Sequence, residues 1–342
     1  MSVKADEIQV ALAAYHQSGR GSGQPVQVTE VKRVGEGNQR EMYYFTTVER
    51  KGKATYRQPL ILRLYDGARA RYNAEYEYNV IKKLGPSDLP VPKAFALEMD
   101  AKYLGKPFVI MERVKGENME TAIRHNIDLE SPQLSIRDLM PWISKLRELL
   151  VTVHSLDWRA LGLDFMDRAR GKYNLIDDFL SWPFIENPAR RYPRFRELCD
   201  WLRVRSEEVI CLEPVLLHID FHPQNVMVDN DRIAAIIDWG EARIGDVTID
   251  VTWESLILAT PGIPALDKAF VEEYRQKSGR KLENLLFYDV MAGTRQLGEY
   301  LTLKDGQALD MNKRPDVEVH EPLSKHFILE KTGIDVSSLL EL

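Results

Sequence analysis

The order of apolar and polar positions changes character along the chain. Ile8 to Tyr15 reads as a short amphipathic helix, and Ser18-Gly19-Arg20-Gly21-Ser22-Gly23-Gln24-Pro25 then breaks regular structure. Its alternating glycines mimic a dinucleotide fingerprint. No strand precedes them and a proline closes them, so the stretch reads as a linker. Val26 to Val34 alternates, Gly35-Glu36-Gly37-Asn38 follows, and Met42 to Val48 is rich in aromatic and β-branched residues. Leu60 to Tyr65 gives a third strand, Ala70 to Leu84 a helix closed by Gly85-Pro86, and Lys93 to Glu98 and Phe108 to Val114 two more strands.

Past Gly116 the period turns helical, over Pro141–His154, Leu175–Trp182, Phe195–Ile210, Lys268–Ser278 and Leu285–Leu303. A strand-and-loop block, Val215 to Asp250, interrupts these helices. The pattern predicts an α+β protein in three parts. Residues 1–25 form a helix and linker, 26–113 a small antiparallel β lobe with one helix, and 114–342 a larger, mostly helical lobe.

Composition narrows the classes. At 342 residues, 44% hydrophobic and 29% charged, the chain suits a globular protein of two lobes. The net charge of −6 gives no global basic field for nucleic acid. No run approaches the ~18 apolar residues that span a bilayer. The opening residues lack the apolar core of a signal peptide, and Cys199 and Cys211 are the only cysteines. These features predict a cytoplasmic protein with no membrane or nucleic-acid partner, and read the two cysteines as packing residues.

The chemistry concentrates in one run, His218-Ile219-Asp220-Phe221-His222-Pro223-Gln224-Asn225-Val226-Met227-Val228. A polar turn at Asp229-Asn230-Asp231 follows, then the apolar strand Ile233 to Ile237, ending in Asp238-Trp239-Gly240. A hairpin of this kind brings Asn225 and Asp238 to one end, facing the loop that holds Asp220. Converging oxygen side chains suit a hard divalent cation, and magnesium takes few protein carboxylates when phosphates complete its shell. Asp220 could then accept a proton from an attacking hydroxyl. His218 and His222 are four apart, but Pro223 denies them the common helix face a zinc pair would use.

Asn225 follows Asp220 by five residues, which resembles the protein-kinase catalytic loop H-R-D-x-x-x-x-N, and Asp238-Trp239-Gly240 stands where kinases carry D-F-G. Gly245-Asp246-Val247-Thr248-Ile249-Asp250 resembles the extension found in the aminoglycoside and choline phosphotransferase branch, and no A-P-E follows. The resemblance spans about Val26 to Leu303 and implies a protein-kinase-like two-lobed fold using ATP, or GTP, with Mg2+. It implies Asp220 as catalytic base, Asn225 and Asp238 as magnesium ligands, and His218 and Asp250 as supports of the catalytic loop. Arg63 takes the place of the phosphate-contacting lysine, paired with Glu77, with Glu75 as runner-up. Gly35, Gly37 and Asn38 resemble the phosphate-covering turn, and backbone groups of Glu112 and Val114 the purine-binding hinge.

Ile219 departs from the pattern, since that branch has Gly there and protein kinases Arg. A positive φ at this position would be costly for a β-branched residue. From Asp164 to Glu208 the chain carries nine acids and nine bases, a balance that does not suit a trap for a polycationic aminoglycoside. The expected function is phosphoryl transfer from ATP to a hydroxyl of a small-molecule acceptor. A nucleotide-binding regulatory pseudokinase is the alternative.

Overall fold

The computed structural model describes residues 5–18, 26–34, 41–128, 131, 135–166, 175–211, 213–259, 266–306, 325–326, 328–330 and 333–336. Its elements begin with α1 (Ala5–Gln17), β1 (Val26–Val34), β2 (Glu41–Lys51), β3 (Ala54–Leu64), α2 (Ala70–Leu84), β4 (Ala94–Glu98), β5 (Phe108–Glu112) and β6 (Glu117–Asn118). Next come α3 (Met119–Asn126), α4 (Ile136–Ser155), α5 (Leu175–Leu180), α6 (Pro183–Arg191), α7 (Pro193–Ser206) and β7 (Val215–Leu217). The hairpin β8 (Val226–Asp229) and β9 (Arg232–Ile236), then β10 (Arg243–Gly245), α8 (Thr248–Ala259), α9 (Leu266–Ser278) and α10 (Leu285–Lys304), complete the set.

The chain divides into two compact units, Met1–Glu117 with Met227–Gly240, and Asn118–Val226 with Glu241–Leu342. The first holds an antiparallel sheet in the order β1-β2-β3-β5-β4. One face packs on α1, where Ile8, Leu12 and Tyr15 meet Val28, Tyr43, Phe45, Leu62 and Phe108 in one apolar cluster. Strand alternation turns Leu62 and Leu64 to one side and Arg63 to the other. All three are buried, so the end of β3 is covered on both faces. Helix α2 packs against β4 and β5, burying Ala74, Glu77, Val80, Ile81 and Leu84 along one stripe.

The sequence reading assigned the β8–β9 hairpin to the larger lobe, within 114–342; the structure groups Met227–Gly240 with the first unit instead. The reason lies in its bonds. Ile236 N donates to Pro90 O at 2.8 Å, and Lys115 pairs with Asp229 at 2.9 Å. Gly116, at φ 109°, lies so close that a Cβ would meet Val228 O at 2.0 Å. Only glycine fits there.

The second unit is a helical assembly. Helix α10 packs on α6, α7 and α8, and α9 on α4 and α8, with β7 and β10 as a short antiparallel pair. Gly298 lets α10 approach α6, since a Cβ there would meet Phe184 O at 2.2 Å. Pro141 is not at a helix start, as its residue type suggests, but inside α4, which begins at Ile136. Helix α8 had no sequence signature because it is buried nearly all round and so shows no amphipathic period. Cys199 and Cys211 are free and buried, and burial pushes both thiols up to about 12, which suits packing residues. Among the described residues no helix is long and apolar enough to cross a membrane.

Candidate active site

The two units carry separate constellations. In the first, Arg63 is 4% exposed and Glu77 fully buried, and the two form an ion pair through Arg63 Nη1 and Glu77 Oε1. Arg63 Nη2 donates to Asp238 Oδ1 at 3.0 Å, and Tyr65 Oη donates to Glu77 Oε2 at 2.5 Å. Burial alone would favour loss of the guanidinium proton. The facing charges of Asp238 and Glu77 outweigh it and raise the pKa further. Glu75, the other candidate partner, is exposed. The choice between them follows helical phase: Ala70, Ala74, Glu77, Ile81 and Leu84 are the buried stripe of α2, and Glu75 falls outside it.

Asp238 keeps 35% of its side chain exposed and sits at φ 64°, a turn geometry that Asp tolerates better than most residues. The β5 end is less open than expected. Glu112 N donates to Lys93 O at 2.8 Å and its carboxylate accepts from Lys93 N at 3.1 Å, so its amide is already engaged. Val114 lies just past the strand and is half-buried. Gly35, Gly37 and Asn38 lie outside the described residues.

In the second unit, β7 delivers the chain into the loop His218–His222, and a single 3-10 turn at Pro223–Asn225 follows. Asp250, on α8 and fully buried, accepts from His218 N and Ile219 N at 2.8 Å each. His154 Nε2 lies 3.1 Å from Asp250 Oδ2, and its Nδ1 lies 2.8 Å from Tyr274 Oη. The loop backbone is thus braced by a buried carboxylate that is itself braced. Ile219 does adopt φ 71° and is 7% exposed, a genuine outlier for a β-branched residue.

Asp220 meets several partners in the same unit. Asn225 Nδ2 donates to Asp220 O at 2.8 Å and to Oδ2 at 3.1 Å, while His222 Nε2 lies 3.5 Å from Oδ2. Arg295, on α10, donates to Asp220 Oδ1 at 2.5 Å. Burial would raise the Asp220 carboxyl; the Arg295 charge and the His222 hydrogen bond outweigh it and hold the group well below the usual carboxylate range. The sequence reading missed Arg295 and His154. Neither belongs to a motif, and the only signal is a polar residue on the mainly apolar face of a helix.

One turn beyond Asp250 on α8 lies Glu254, fully buried and with neither oxygen hydrogen-bonded among the described residues. Burial first, then the Asp250 charge, pushes its carboxyl up to about 8. Its folded value is raised above the ordinary 4.5, so the associated stability is complete below pH 4.5 and is lost as pH rises through about 8. Glu254→Gln removes that loss. The variant is expected to match the wild type near pH 4 and to exceed it increasingly up to pH 8, by on the order of a few kcal/mol. Urea midpoints across that pH range check this, and parallel curves would refute it.

Residues 30–286 match the profile of APH, the phosphotransferase enzyme family. The chain belongs to this family. An Arabidopsis thaliana protein named as an acyl-CoA dehydrogenase, IBR3, is 30% identical over 213 residues, which is 59% of this chain and 25% of that protein. The Mus musculus acyl-CoA dehydrogenase family member 10 is 24% identical over 209 residues, 60% of this chain and 18% of that protein. The chain therefore spans a quarter or less of the length of these curated relatives.

Solved structures share the fold. A Ralstonia eutropha protein described as an aminoglycoside phosphotransferase superposes with TM-score 0.62 at 21% identity, covering 93% of this chain and 98% of that one. A thermostable mutant of aminoglycoside phosphotransferase APH(4)-Ia, in ternary complex with ADP and hygromycin B, gives 0.59 at 18% identity over 94% and 99%. In this phosphotransferase-family chain the small antiparallel unit and the helical unit are those of the kinase-like fold.

Proposed function

We propose that the protein transfers the γ-phosphoryl group of ATP to a hydroxyl of a small-molecule acceptor. The observation that carries this reading is the loop around Asp220: an ionised carboxylate fixed by Asn225 and held on a backbone that Asp250 braces. In this reading Asp220 orients the acceptor hydroxyl and takes its proton late, as a loose phosphoryl-transfer transition state allows. Arg63, positioned by Glu77, contacts the nucleotide phosphates, and its Nε has no partner among the described residues. The carbonyl of Glu112 and the backbone of Val114 meet the purine edge. His218 and Asp250 support the loop.

In this reading each unit offers an oxygen donor that suits magnesium. Asn225 engages only its Nδ2 in hydrogen bonds, leaving Oδ1 as a hard oxygen, and Asp238 supplies a partly exposed carboxylate. Magnesium takes few protein carboxylates, and in this reading nucleotide phosphates would complete its shell. Held by Asn225 and Asp238, a magnesium ion would supply neutralisation of charge on the transferring group.

The arginines between Arg190 and Arg196 are engaged locally. Arg190 pairs with Glu186, Arg194 with Glu197 and Arg191 with Asp305, and Arg196 donates to Ala189 O. These four arginines therefore give no support to an anionic acceptor. An acceptor screen should therefore set hydroxyacyl thioesters, suggested by the names of the curated relatives, beside aminocyclitols. The pseudokinase alternative rested on Ile219, and the structure accommodates that residue with both its polar backbone groups bonded.

The test is the thermal midpoint with ATP or GTP, each with and without magnesium, followed by the acceptor screen. A nucleotide at 100 times its Kd adds about 2.7 kcal/mol, which raises the midpoint by several degrees. A magnesium-dependent shift is the expected result. No shift with either nucleotide overturns the reading.

A further inference from the structure

Outside the recognised motifs, Arg295 is a heavily engaged charged side chain. Its side chain is 13% exposed, and three nitrogens donate at once: Nη1 to Ile219 O at 2.8 Å, Nη2 to Asp220 Oδ1 at 2.5 Å, and Nε to Glu299 Oε1 at 3.1 Å. The guanidinium lies 3.8 Å from the Trp253 ring centroid and 5.6 Å from that of Trp182. Glu299, one turn along α10, and the Trp253 face together fix both the direction and the plane of the fork.

What it grips is strained. A left-handed backbone costs an ordinary L-residue roughly 1–2 kcal/mol, and such strain persists only where the surroundings over-determine it. Ile219 N donates to Asp250 Oδ1 and Ile219 O accepts from Arg295 Nη1, so helices α8 and α10 hold the strained residue from its two ends. The same arginine then takes Asp220 Oδ1, while Oδ2 faces Asn225 and His222. The two carboxylate oxygens are thereby made inequivalent, Oδ1 facing the guanidinium and Oδ2 facing Asn225 and His222.

We propose that Arg295 is a positioning residue that clamps the Ile219–Asp220 peptide and aims the Asp220 carboxylate, so that it governs turnover through Asp220. The proposal rests on the phosphotransfer reading for its kinetic arm only. A planar fork is required: an ammonium is a point charge that cannot serve both acceptors and also stack on Trp253.

The full-length chain is tested as wild type, Arg295→Met and Arg295→Lys, with Arg295→Met also in an Asp220→Asn background. Arg295→Met is expected to lower kcat about 10²-fold with the KM for ATP nearly unchanged, the size of loss that follows a misplaced catalytic group. Arg295→Lys recovers only part of it. In the Asp220→Asn background the same change lowers residual turnover little further, because residues acting as a unit are non-additive. Equal fold losses in both backgrounds would overturn the clamp, since general structural damage multiplies.

Amide hydrogen exchange supplies an arm independent of activity. Peptides covering residues 217–225 are expected to exchange at least about tenfold faster in Arg295→Met, with peptides from the first unit unchanged. Unchanged exchange in that loop overturns the proposal. If the wild type phosphorylates no acceptor, the phosphotransfer reading fails while the exchange result still decides the clamp.

Discussion

Asp220→Asn is expected to lower turnover by about 10²- to 10⁴-fold, the range a positioned acid–base group contributes. Nucleotide binding should survive, since Arg63, Glu77, Asp238 and the β5 end, proposed to hold it, are arranged within the other compact unit, and the proposed magnesium ligand Asn225 keeps its bond to the Asp220 carbonyl. The substitution is close in shape but not in hydrogen bonding. One amide oxygen still accepts from Arg295, whereas the new NH2 group would face Asn225 Nδ2 and His222. Charge is also removed: Asp220 is held ionised well below the usual carboxylate range, and Asn leaves the Arg295 guanidinium without its nearer anion. The check is single-turnover transfer alongside the magnesium–nucleotide thermal shift. Loss of turnover with the shift intact supports the role; turnover within a few-fold of wild type removes Asp220 from the chemistry.

The parts of this site that sequence disclosed are those that chemistry confines to short stretches. Asp220 and Asn225 are linked by one loop and one 3-10 turn, so their spacing is a geometric constraint readable without a fold. Strand β1 was equally plain, because Val26 to Val34 alternates, and α2 because its apolar stripe repeats at helical spacing with Glu77 among its buried positions. Arg295 and His154 lie 75 and 66 residues from Asp220 in sequence, on helices whose faces are chosen by packing, and no local pattern marks them. The fate of the β8–β9 hairpin was illegible for a related reason. Its sequence says hairpin, but only tertiary bonds to Pro90 and Lys115 say which unit it joins. Ile219 stands between these cases: the residue type flags a cost, and the structure shows φ 71° together with the two bonds that offset it.

Arg63→Met is the complementary test, and its effect should appear first in stability. Removing one member of a buried ion pair leaves an uncompensated charge and costs about 3–5 kcal/mol. Glu77 is fully buried and keeps the Tyr65 hydroxyl, while Glu77 and Asp238 both lose the Arg63 guanidinium. Arg63→Lys should fall between, because one ammonium cannot bridge Glu77 and Asp238 as the fork does. A lower midpoint alone would not separate scaffold from function, so the double variant Arg63→Met/Glu77→Gln is decisive. Replacing both charges restores the charge balance and should recover most of the lost stability, since a buried ion pair contributes little beyond a neutral, well-packed replacement. If Arg63 also contacts phosphate, the recovered protein still binds nucleotide poorly, and its magnesium–nucleotide shift stays small at concentrations that saturate the wild type. A double variant that regains both stability and the full nucleotide shift would confine Arg63 to holding β3, α2 and Asp238 together.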